Sequence, residues 1–227
     1  MASSPTSQLD WVSVKTTLPV RPLPPNSSRP PAITDRLIIR ALVPDDVHSL
    51  HVLRTQPEVM VNTAVGEIDK DLQETQAKLD LSLAPNDRKT FNVAICLKET
   101  GELIGIGGCL SVSSMFGWPE IGYMLRREFW GQGLMTEFLH AWLDMWSKLP
   151  REETEFKVDP RTLPGGDGPV QEQVTALTVA DNFGSQRVLA KGGFEYSFTW
   201  SEPDTRNPTE DIELRLFRYF PTKGLKN

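Results

Sequence analysis

The chain has 227 residues and a formal net charge of −6, and hydrophobic residues make up 39% of it. No run of about 18 apolar residues occurs, which excludes a membrane-spanning helix, and the acidic balance argues against nucleic-acid binding. The two cysteines, Cys96 and Cys109, are too few for a disulfide framework or a four-ligand zinc site. We therefore expect two small core residues and no metal. The N-terminus shows no apolar signal segment, and we expect a cytoplasmic location.

The distribution of proline predicts the domain organisation. Seven of the 18 prolines fall within residues 1–31, so we predict a Pro/Ser-rich N-terminal arm over residues 1–32, either extended on the body or disordered. The rest, residues 33–222, is expected to form one domain, followed by a tail over residues 223–227. Within it, residues 150–173 are rich in Pro and Gly and are predicted to be a flexible surface loop.

Hydrophobic periodicity predicts strands and helices in alternation along this domain. In chain order, we predict a strand over 36–42, helices over 44–54 and 68–83, strands over 91–97, 103–110 and 120–125, a helix over 131–148, a strand over 174–179, a helix over 182–191, and final strands over 194–200 and 212–219. The turn Glu99-Thr-Gly101 is expected to join its two flanking strands as a hairpin. This order is typical of an α/β fold with a mixed central β-sheet flanked by helices.

A Gly-x-Gly pattern follows the strand that ends near Leu125, because the next helix opens with Gly131-Gln-Gly133. Glycine lets the backbone turn tightly and approach a ligand, and the first N–H groups of a helix have no partner inside it. The pattern predicts an anion site, most naturally for phosphates, although it is also typical of a plain tight turn. It is neither the dinucleotide fingerprint, whose third glycine would fall at Thr136, nor a P-loop, which needs Gly-Lys-Ser/Thr.

A second informative segment runs from Asn182 to Phe194 and predicts a helix between two strands. Asn182 suits the N-cap of the helix, and Gly192-Gly193 suits its C-terminal stop. Asn182 and Ser185 are three residues apart and share one helix face. These residues point either to a ligand site or to a cap beside a surface serine.

Together, the two segments resemble those of the GNAT acyl-CoA N-acyltransferase superfamily, most closely its Rim-type branch, which is related to ribosomal-protein N-terminal acetyltransferases. The likeness covers roughly residues 33–220. It rests on three motifs: Thr34-Asp-Arg-Leu-Ile-Ile-Arg40; Glu120-Ile-Gly-Tyr123 with Trp130-Gly-Gln-Gly133 and Thr136-Glu137; and Asn182-x-x-Ser185-x-Arg187-Val-Leu-x-Lys191-x-Gly193-Phe194. It implies the GNAT fold, in which the middle strands of the mixed sheet splay apart, and acetyl-CoA as cosubstrate.

The resemblance implies a coenzyme site between the two strands that end near Leu125 and Val179. The pantetheine arm would pair with the backbone of Met124, Leu125 and Arg126, and the N–H near Met124 would polarise the thioester carbonyl. Asn182 would hold the pantetheine amide, and Ser185 would bind the coenzyme or donate to it. The pyrophosphate would bind the backbone N–H groups of Trp130, Gly131, Gln132, Gly133, Leu134, Met135 and Thr136.

The reaction itself selects the candidate catalytic residues. A free alkyl amine has a pKa near that of lysine, about 10.4, so it must lose a proton before attack, and Glu120 at the head of the cofactor strand is the candidate base. The departing coenzyme thiolate needs a proton or a hydrogen-bond donor. Many members of the superfamily use a tyrosine of the last helix, but this chain has Leu189 there, and Ser185 is the candidate donor. Met135 replaces the usual Gly or Ala, and we expect its side chain to lie in the core.

The resemblance implies an N-acetyltransferase that acts on a primary amine. Trp118 and Tyr123 are the candidate substrate-binding residues, with core packing as the alternative. The arm and the loop over residues 150–173 would cover the cleft, which slightly favours a small-molecule amine over a protein N-terminus or lysine. The alternatives are a non-catalytic acyl-CoA-binding module and a longer-chain acyl donor. We expect a monomer or homodimer that has no nucleic-acid or membrane partner.

Overall fold

The computed structural model describes residues 11–163 and 170–221. The strands are β1 Val12–Pro19, β2 Ala32–Ile33, β3 Leu37–Ala41, β4 Phe91–Leu97, β5 Leu103–Ser111, β6 Glu120–Leu125, β7 Arg151–Val158, β8 Val174–Val179, β9 Glu195–Asp204 and β10 Asn207–Tyr219. The helices are α1 Val47–Arg54, α2 Pro57–Met60, α3 Leu72–Asp80, α4 Leu134–Ser147 and α5 Phe183–Lys191. The predicted tail, the first part of the predicted arm and residues 164–169 of the predicted loop lie outside the described residues.

Eight of the strands form one sheet in the order β2-β3-β4-β5-β6-β8-β10-β9. Neighbouring strands are antiparallel except β6 and β8, which are parallel. The predicted hairpin joins β4 and β5. The mixed, helix-flanked sheet confirms the predicted α/β architecture.

Capping residues and glycines set the starts of the helices, and these starts differ from the positions that hydrophobic periodicity predicted. The carboxylate of Asp71 accepts the N–H of Glu74 at 2.8 Å and caps α3, which therefore begins at Leu72 rather than at the predicted position 68. Helix α4 begins at Leu134, three residues later than predicted, because Gly131 and Gly133 both have positive φ. The short helix α2, opened by Pro57, is absent from the predicted elements.

Three hydrophobic cores cover the two faces of the sheet. The first lies beneath α4 and α5, the second beneath α1 and α3 on the opposite face, and the third beside the second, under β1 and β7. Strand β4 shows the division, because Val93 and Ile95 belong to the first core whereas Ala94 and Cys96 belong to the second. Both cysteines are buried, as predicted. Met135 also lies in the first core, as predicted.

Strands β1 and β7 form a separate two-stranded antiparallel sheet, from Val12 opposite Val158 to Pro19 opposite Arg151. The prediction of a loop over residues 150–173 is therefore wrong for residues 151–158. The prolines and glycines that indicated a loop lie at residue 150 and at 160–169, and the strand lies between them. Of the two options for the arm, the structure shows the extended one over residues 12–19. Among the described residues, no helix has the length and apolar character needed to cross a bilayer.

Val14 tests whether β1 belongs to the folded core, because its side chain is buried in the third core. Val14→Ala removes two carbon atoms and leaves a cavity, so we expect it to lower the free energy of unfolding by about 2 kcal/mol. Ser13→Ala, at the exposed position next to it, is the control and should change stability by less than about 0.5 kcal/mol. Urea unfolding measures both; equal stability of the two variants would contradict the role of β1.

Candidate active site

A gap between β6 and β8 is the central feature of the site. The two strands pair only once, at Glu120 and Thr175, where the Thr175 N–H donates to Pro119 O at 2.8 Å. From there they separate, while β6 stays paired to β5 as far as Leu125 and β8 stays paired to β10 as far as Val179. The splayed middle strands that the resemblance implied are therefore present. The gap is narrow at Glu120 and opens towards the start of α4.

The backbone groups that face this gap belong to the odd-numbered residues of β6. Arg126 N–H donates to Ile104 O of β5 at 2.9 Å, and Met124 stands opposite Ile106, so the even-numbered residues direct their N–H groups towards β5. The N–H groups of Tyr123 and Leu125 point into the gap and have no partner in the described chain. The free N–H groups near Met124 are therefore those of its two neighbours and not its own, and the Arg126 N–H is likewise engaged. Because N–H groups alternate in direction along a strand, Tyr123 and Leu125 are the residues whose N–H groups can polarise the thioester carbonyl.

The loop after β6 presents a run of free donors at the start of α4. Gly131 and Gly133 have φ values of +74° and +77°, a left-handed conformation that glycine adopts without strain. From Gly131 to Thr136, six consecutive backbone N–H groups donate to no group in the described residues. Oriented N–H groups at the N-terminus of a 14-residue helix bind anions, and phosphate suits them well. This arrangement fits the pyrophosphate of a coenzyme.

The side chains of Trp130 and Gln132 hold the loop in place. The Trp130 indole N–H donates to Leu125 O at 2.7 Å, and the Gln132 side-chain amide donates to Glu128 O at 2.9 Å. The Trp130 N–H is itself used, because it donates to Arg127 O. The predicted contribution of Trp130 to the anion site therefore comes from bracing and not from its N–H. Leu134 and Met135 contribute N–H groups while their side chains are buried.

An ion pair braces the loop from the other side. Arg36 binds the Glu137 carboxylate at 2.7 Å and donates through Nη1 to Gln132 O at 2.9 Å. Glu137 also accepts a hydrogen bond from the Thr34 hydroxyl at 2.6 Å. Burial alone would raise the pKa of Glu137, but the hydrogen bonds from Thr34 and Arg36 outweigh it and hold this pKa below its ordinary value. Because the peptide between Gln132 and Gly133 is trans, the Gly133 N–H points away from Arg36. Both residues lie in the motifs of the resemblance, but nothing in the sequence alone showed that they meet.

An open cleft of about 510 Å³ adjoins the free N–H groups. Its walls come from the segment before β3, from the first turns of α4 and from the end of α5: Thr34, Asp35, Gly133, Thr136, Glu137, His140 and Lys191. The His140 ring binds Lys191 O at 3.1 Å, which ties α4 to α5 at this point. The cleft continues the anion site away from the gap and gives a coenzyme room beyond its pyrophosphate.

Helix α5 closes the other side of the gap. The Asn182 side-chain oxygen accepts the Ser185 N–H at 3.0 Å, which confirms the predicted N-cap. The Ser185 hydroxyl lies 2.8 Å from the phenol oxygen of Tyr123, across the gap. Leu189 is fully buried in the first core, so its position carries no polar group. Tyr123 thus faces α5 and the first core, not the opposite face on which Glu120 lies.

Glu120, which is half-buried, and Gly122, which is exposed, form a strip on that opposite face. The even-numbered residues run from Trp118 in the third core to Met124 beside the second core, and Glu120 and Gly122 lie between them. A Cβ added at Gly122 would meet no atom within 4 Å, so the space above it is open. Burial raises the pKa of Glu120 from its ordinary 4.5 to about 7, against the opposing effect of a hydrogen bond from Ser114.

Trp118 lies away from this strip. Its side chain is fully buried in the third core, and its indole N–H donates to the Thr162 hydroxyl at 2.8 Å. The prediction that Trp118 binds substrate therefore gives way to its alternative, core packing. The reason is the β1–β7 sheet, whose Val14 and Val158 cover this part of the face.

A set of hydrogen bonds and packing contacts links the β9–β10 turn to the loop after α2. Arg206, in the turn between β9 and β10, donates to Val61 O at 2.8 Å, and Thr205 donates to Ala64 O at 3.3 Å. The Arg206 side chain also packs on Gly66, where a Cβ would collide with it. Asp204 fixes Arg206 through hydrogen bonds of 2.8 and 2.6 Å. We call these contacts the hairpin bridge; no pattern in the sequence predicted it.

The arrangement therefore combines an anion cradle, two free strand N–H groups and a half-buried carboxylate on the face beyond them. No group of three His, Cys, Asp or Glu side chains in the described residues is arranged to hold a metal ion. Such a site can bind an acyl thioester of a phosphorylated carrier, polarise its carbonyl and accept a proton from a nucleophile.

Comparison with known proteins identifies the class. Residues 36–195 match the family model described as an acetyltransferase (GNAT) domain, and the chain belongs to this family. It is an acetyl-CoA-dependent acetyltransferase. The uncharacterised N-acetyltransferase p20 of Bacillus licheniformis is 31% identical over 135 residues, which make up 58% of this chain and 74% of p20.

Two solved structures share the fold. The acetyl transfer enzyme of Salmonella typhimurium that modifies the N-terminal serine of ribosomal protein L7/L12 matches with a TM-score of 0.63 at 17% identity, over 83% of this chain and 97% of that chain. The microcin C7 self-immunity acetyltransferase MccE, solved with acetyl-CoA and AMP, matches with a TM-score of 0.63 at 14% identity, over 82% of this chain and 93% of that chain.

Gly133 tests the anion cradle. Gly133→Ala places an L residue at φ +77°, at a cost of about 1–2 kcal/mol, and the relaxation should displace the free N–H groups. We expect the affinity for CoA, measured by calorimetry, to fall about tenfold. Gly101→Ala is the matched control, because Gly101 has φ +74° and open space around it in the distant β4–β5 turn. It should lose similar stability with unchanged CoA affinity; unchanged affinity in Gly133→Ala would contradict the assignment.

Proposed function

We propose that the protein transfers the acetyl group of acetyl-CoA to a primary amine by direct attack of the amine on the thioester, with Glu120 as the base. The observation that carries this proposal is the Glu120 carboxylate, buried enough to have a pKa of about 7 and placed where β6 and β8 begin to separate. It adjoins the open space above Gly122 on its face of the sheet.

The donor half of the site supports this direction of transfer. Bound acetyl-CoA supplies an activated acetyl thioester, with its phosphates on the N–H groups of residues 131–136 and its pantetheine arm along β6. The arm then runs from the wide end of the gap towards Glu120. The N–H groups of Tyr123 and Leu125 donate into the gap, where they bind the pantetheine and polarise the thioester carbonyl. Asn182 and Ser185 hold the arm from α5.

Glu120 matches the proton transfer that the reaction needs. An alkyl ammonium with a pKa of about 10.4 must become a neutral amine before it attacks. A base is most effective when its pKa lies near the working pH, since it is then ionised and still takes up the proton readily. A carboxylate with the ordinary pKa of 4.5 would be a much weaker base. Glu120 accepts the proton directly or through a water molecule.

The hairpin bridge supports a slender acceptor. It connects the loop after α2, beside the second core, with the β9–β10 turn, beside the third core. From these positions we infer that it lies across the space next to Glu120 and Gly122. A small-molecule amine fits such a space best. A protein N-terminus, as in the relative that modifies ribosomal protein L7/L12, is the alternative, because a chain end can be threaded. A lysine within a folded surface is disfavoured.

Three acceptor probes separate these classes: spermidine, a tetrapeptide with a free N-terminal serine, and an N-acetylated peptide with one internal lysine. Release of the CoA thiol from acetyl-CoA measures transfer to each, and butyryl-CoA tests the longer-chain donor. We expect spermidine to react fastest and the internal lysine slowest. A preference for the internal lysine would contradict the role of the hairpin bridge. Thermal stabilisation by CoA without transfer to any probe would favour a non-catalytic module.

Glu120→Gln tests the base. With the best of these probes at pH 7.5, we expect its kcat to fall about 100- to 1000-fold, because the carboxamide cannot accept the proton. The wild-type kcat should rise with pH through about 7 as Glu120 ionises, and the variant should lack this rise. The stabilisation by acetyl-CoA should be retained. Glu153→Gln, at an exposed position of β7, is the control. Unchanged kcat in Glu120→Gln would exclude Glu120 as the base.

A further inference from the structure

We propose that Tyr123 is a positioning residue for the leaving group: its phenol holds the Ser185 hydroxyl as the hydrogen-bond donor to the sulfur that departs from the acetyl group. A tyrosine on a strand then supports the step for which many members of the superfamily use a tyrosine on the last helix. The inference rests on the acetyl transfer proposed above.

Ser185 is fixed from two sides. The phenol oxygen of Tyr123 lies 2.8 Å from Ser185 Oγ and 3.4 Å from the Ser185 carbonyl oxygen. Either hydroxyl can be the donor in the 2.8 Å contact, and our proposal takes the arrangement in which the phenol donates to Ser185 Oγ. The Ser185 N–H is held by the Asn182 side chain at 3.0 Å. In that arrangement the hydrogen of the Ser185 hydroxyl is free to donate into the gap.

The phenol of Tyr123 stays protonated near neutral pH, so it can donate a hydrogen bond. Burial raises the pKa of Tyr123 well above its ordinary value of 10, and the hydrogen bond with Ser185 only partly opposes this effect. A neutral phenol that donates to Ser185 Oγ also polarises the serine O–H, since hydrogen bonds in a chain strengthen one another. Ser185 is accordingly a better donor with Tyr123 in place than alone.

The position of the pair fits the departing sulfur. Tyr123 is on β6 and Ser185 is in the first turn of α5, so their hydrogen bond crosses the gap that the pantetheine arm enters. The free N–H of Tyr123 lies on the same residue, which places carbonyl polarisation and sulfur stabilisation side by side. Leu189, one turn further along α5, is fully buried and offers no donor.

Departure of the coenzyme sulfur needs no strong acid. The amine lone pair forms the C–N bond, and the C–S bond breaks with its electron pair on sulfur. Glu120 holds the proton of the original ammonium, and the proton that the nitrogen loses after the attack passes to solvent. The sulfur leaves as a thiolate that accepts a hydrogen bond from Ser185 and then takes a proton from solvent. A thiol pKa of about 8.5 lies close to neutral pH, so stabilisation by a hydrogen bond is sufficient.

Hydroxylamine is the acceptor probe that isolates this step, because it is largely neutral at pH 7.5 and makes little demand on a base. The measurement is enzyme-dependent release of CoA from acetyl-CoA above the uncatalysed rate. We expect Tyr123→Phe to lower kcat about tenfold and Ser185→Ala about 100-fold, with the KM for acetyl-CoA within about twofold. Ser185→Thr, which keeps the hydroxyl, should recover most of the activity. Tyr196→Phe, at an exposed tyrosine of β9, is the control.

The double variant distinguishes positioning from packing. If Tyr123 acts through Ser185, Tyr123→Phe has no further effect in the Ser185→Ala background. Losses that multiply in the double variant, a raised KM at unchanged kcat, or full activity of Tyr123→Phe would each overturn the inference while leaving acetyl transfer intact. If the wild type binds CoA but releases none from acetyl-CoA with hydroxylamine, the proposed transfer fails, and the inference fails with it.

Discussion

The site depends on one break in the hydrogen bonding of the sheet, the separation of β6 and β8 after Glu120 and Thr175. A backbone N–H that loses its partner in a protein interior costs about 1–3 kcal/mol, so a fold keeps such an edge only when something else binds it. Here each strand is held by its outer neighbour, β5 or β10, and the inner edges stay free. The extended arm of a coenzyme is the kind of ligand that satisfies such edges, because it pairs as a third strand would.

The polar contacts around the gap matter because they orient neighbouring groups, although each adds little to the stability of the fold. Arg36 is half exposed in its ion pair with Glu137, and an exposed pair adds about 0–1 kcal/mol to stability. Its effect lies in the Gln132 carbonyl that it holds, which decides where the neighbouring N–H groups point. Arg206 acts similarly, since Asp204 fixes it and its contact with Val61 joins two segments that are far apart in sequence.

Local signals in the sequence predicted much of the site. Gly131 and Gly133 indicated a backbone with positive φ before a helix, Asn182 indicated an N-cap, and the strand before the glycines indicated where a coenzyme enters. The sequence could not predict which residues of β6 direct their N–H groups into the gap. Whether the N–H of Met124 or that of Tyr123 does so depends on the register between β6 and β5, and a shift of one residue exchanges them. Trp118 shows a similar limit, because its burial depends on β1, more than 90 residues earlier in the chain.

The sequence alone indicated the class of the protein and the order of its elements, and it supplied the predictions of an anion-binding loop and of Glu120 as the base. These follow from short-range properties: periodicity, glycine at positions of positive φ, caps, and motifs confined to a few neighbouring residues. Only the tertiary structure decided the rest: the free N–H groups of Tyr123 and Leu125, the pairing of β1 with β7, the contact of Tyr123 with Ser185 and the hairpin bridge. Each of these joins segments that are distant in sequence, and the register and packing that bring them together arise only when the whole sheet forms.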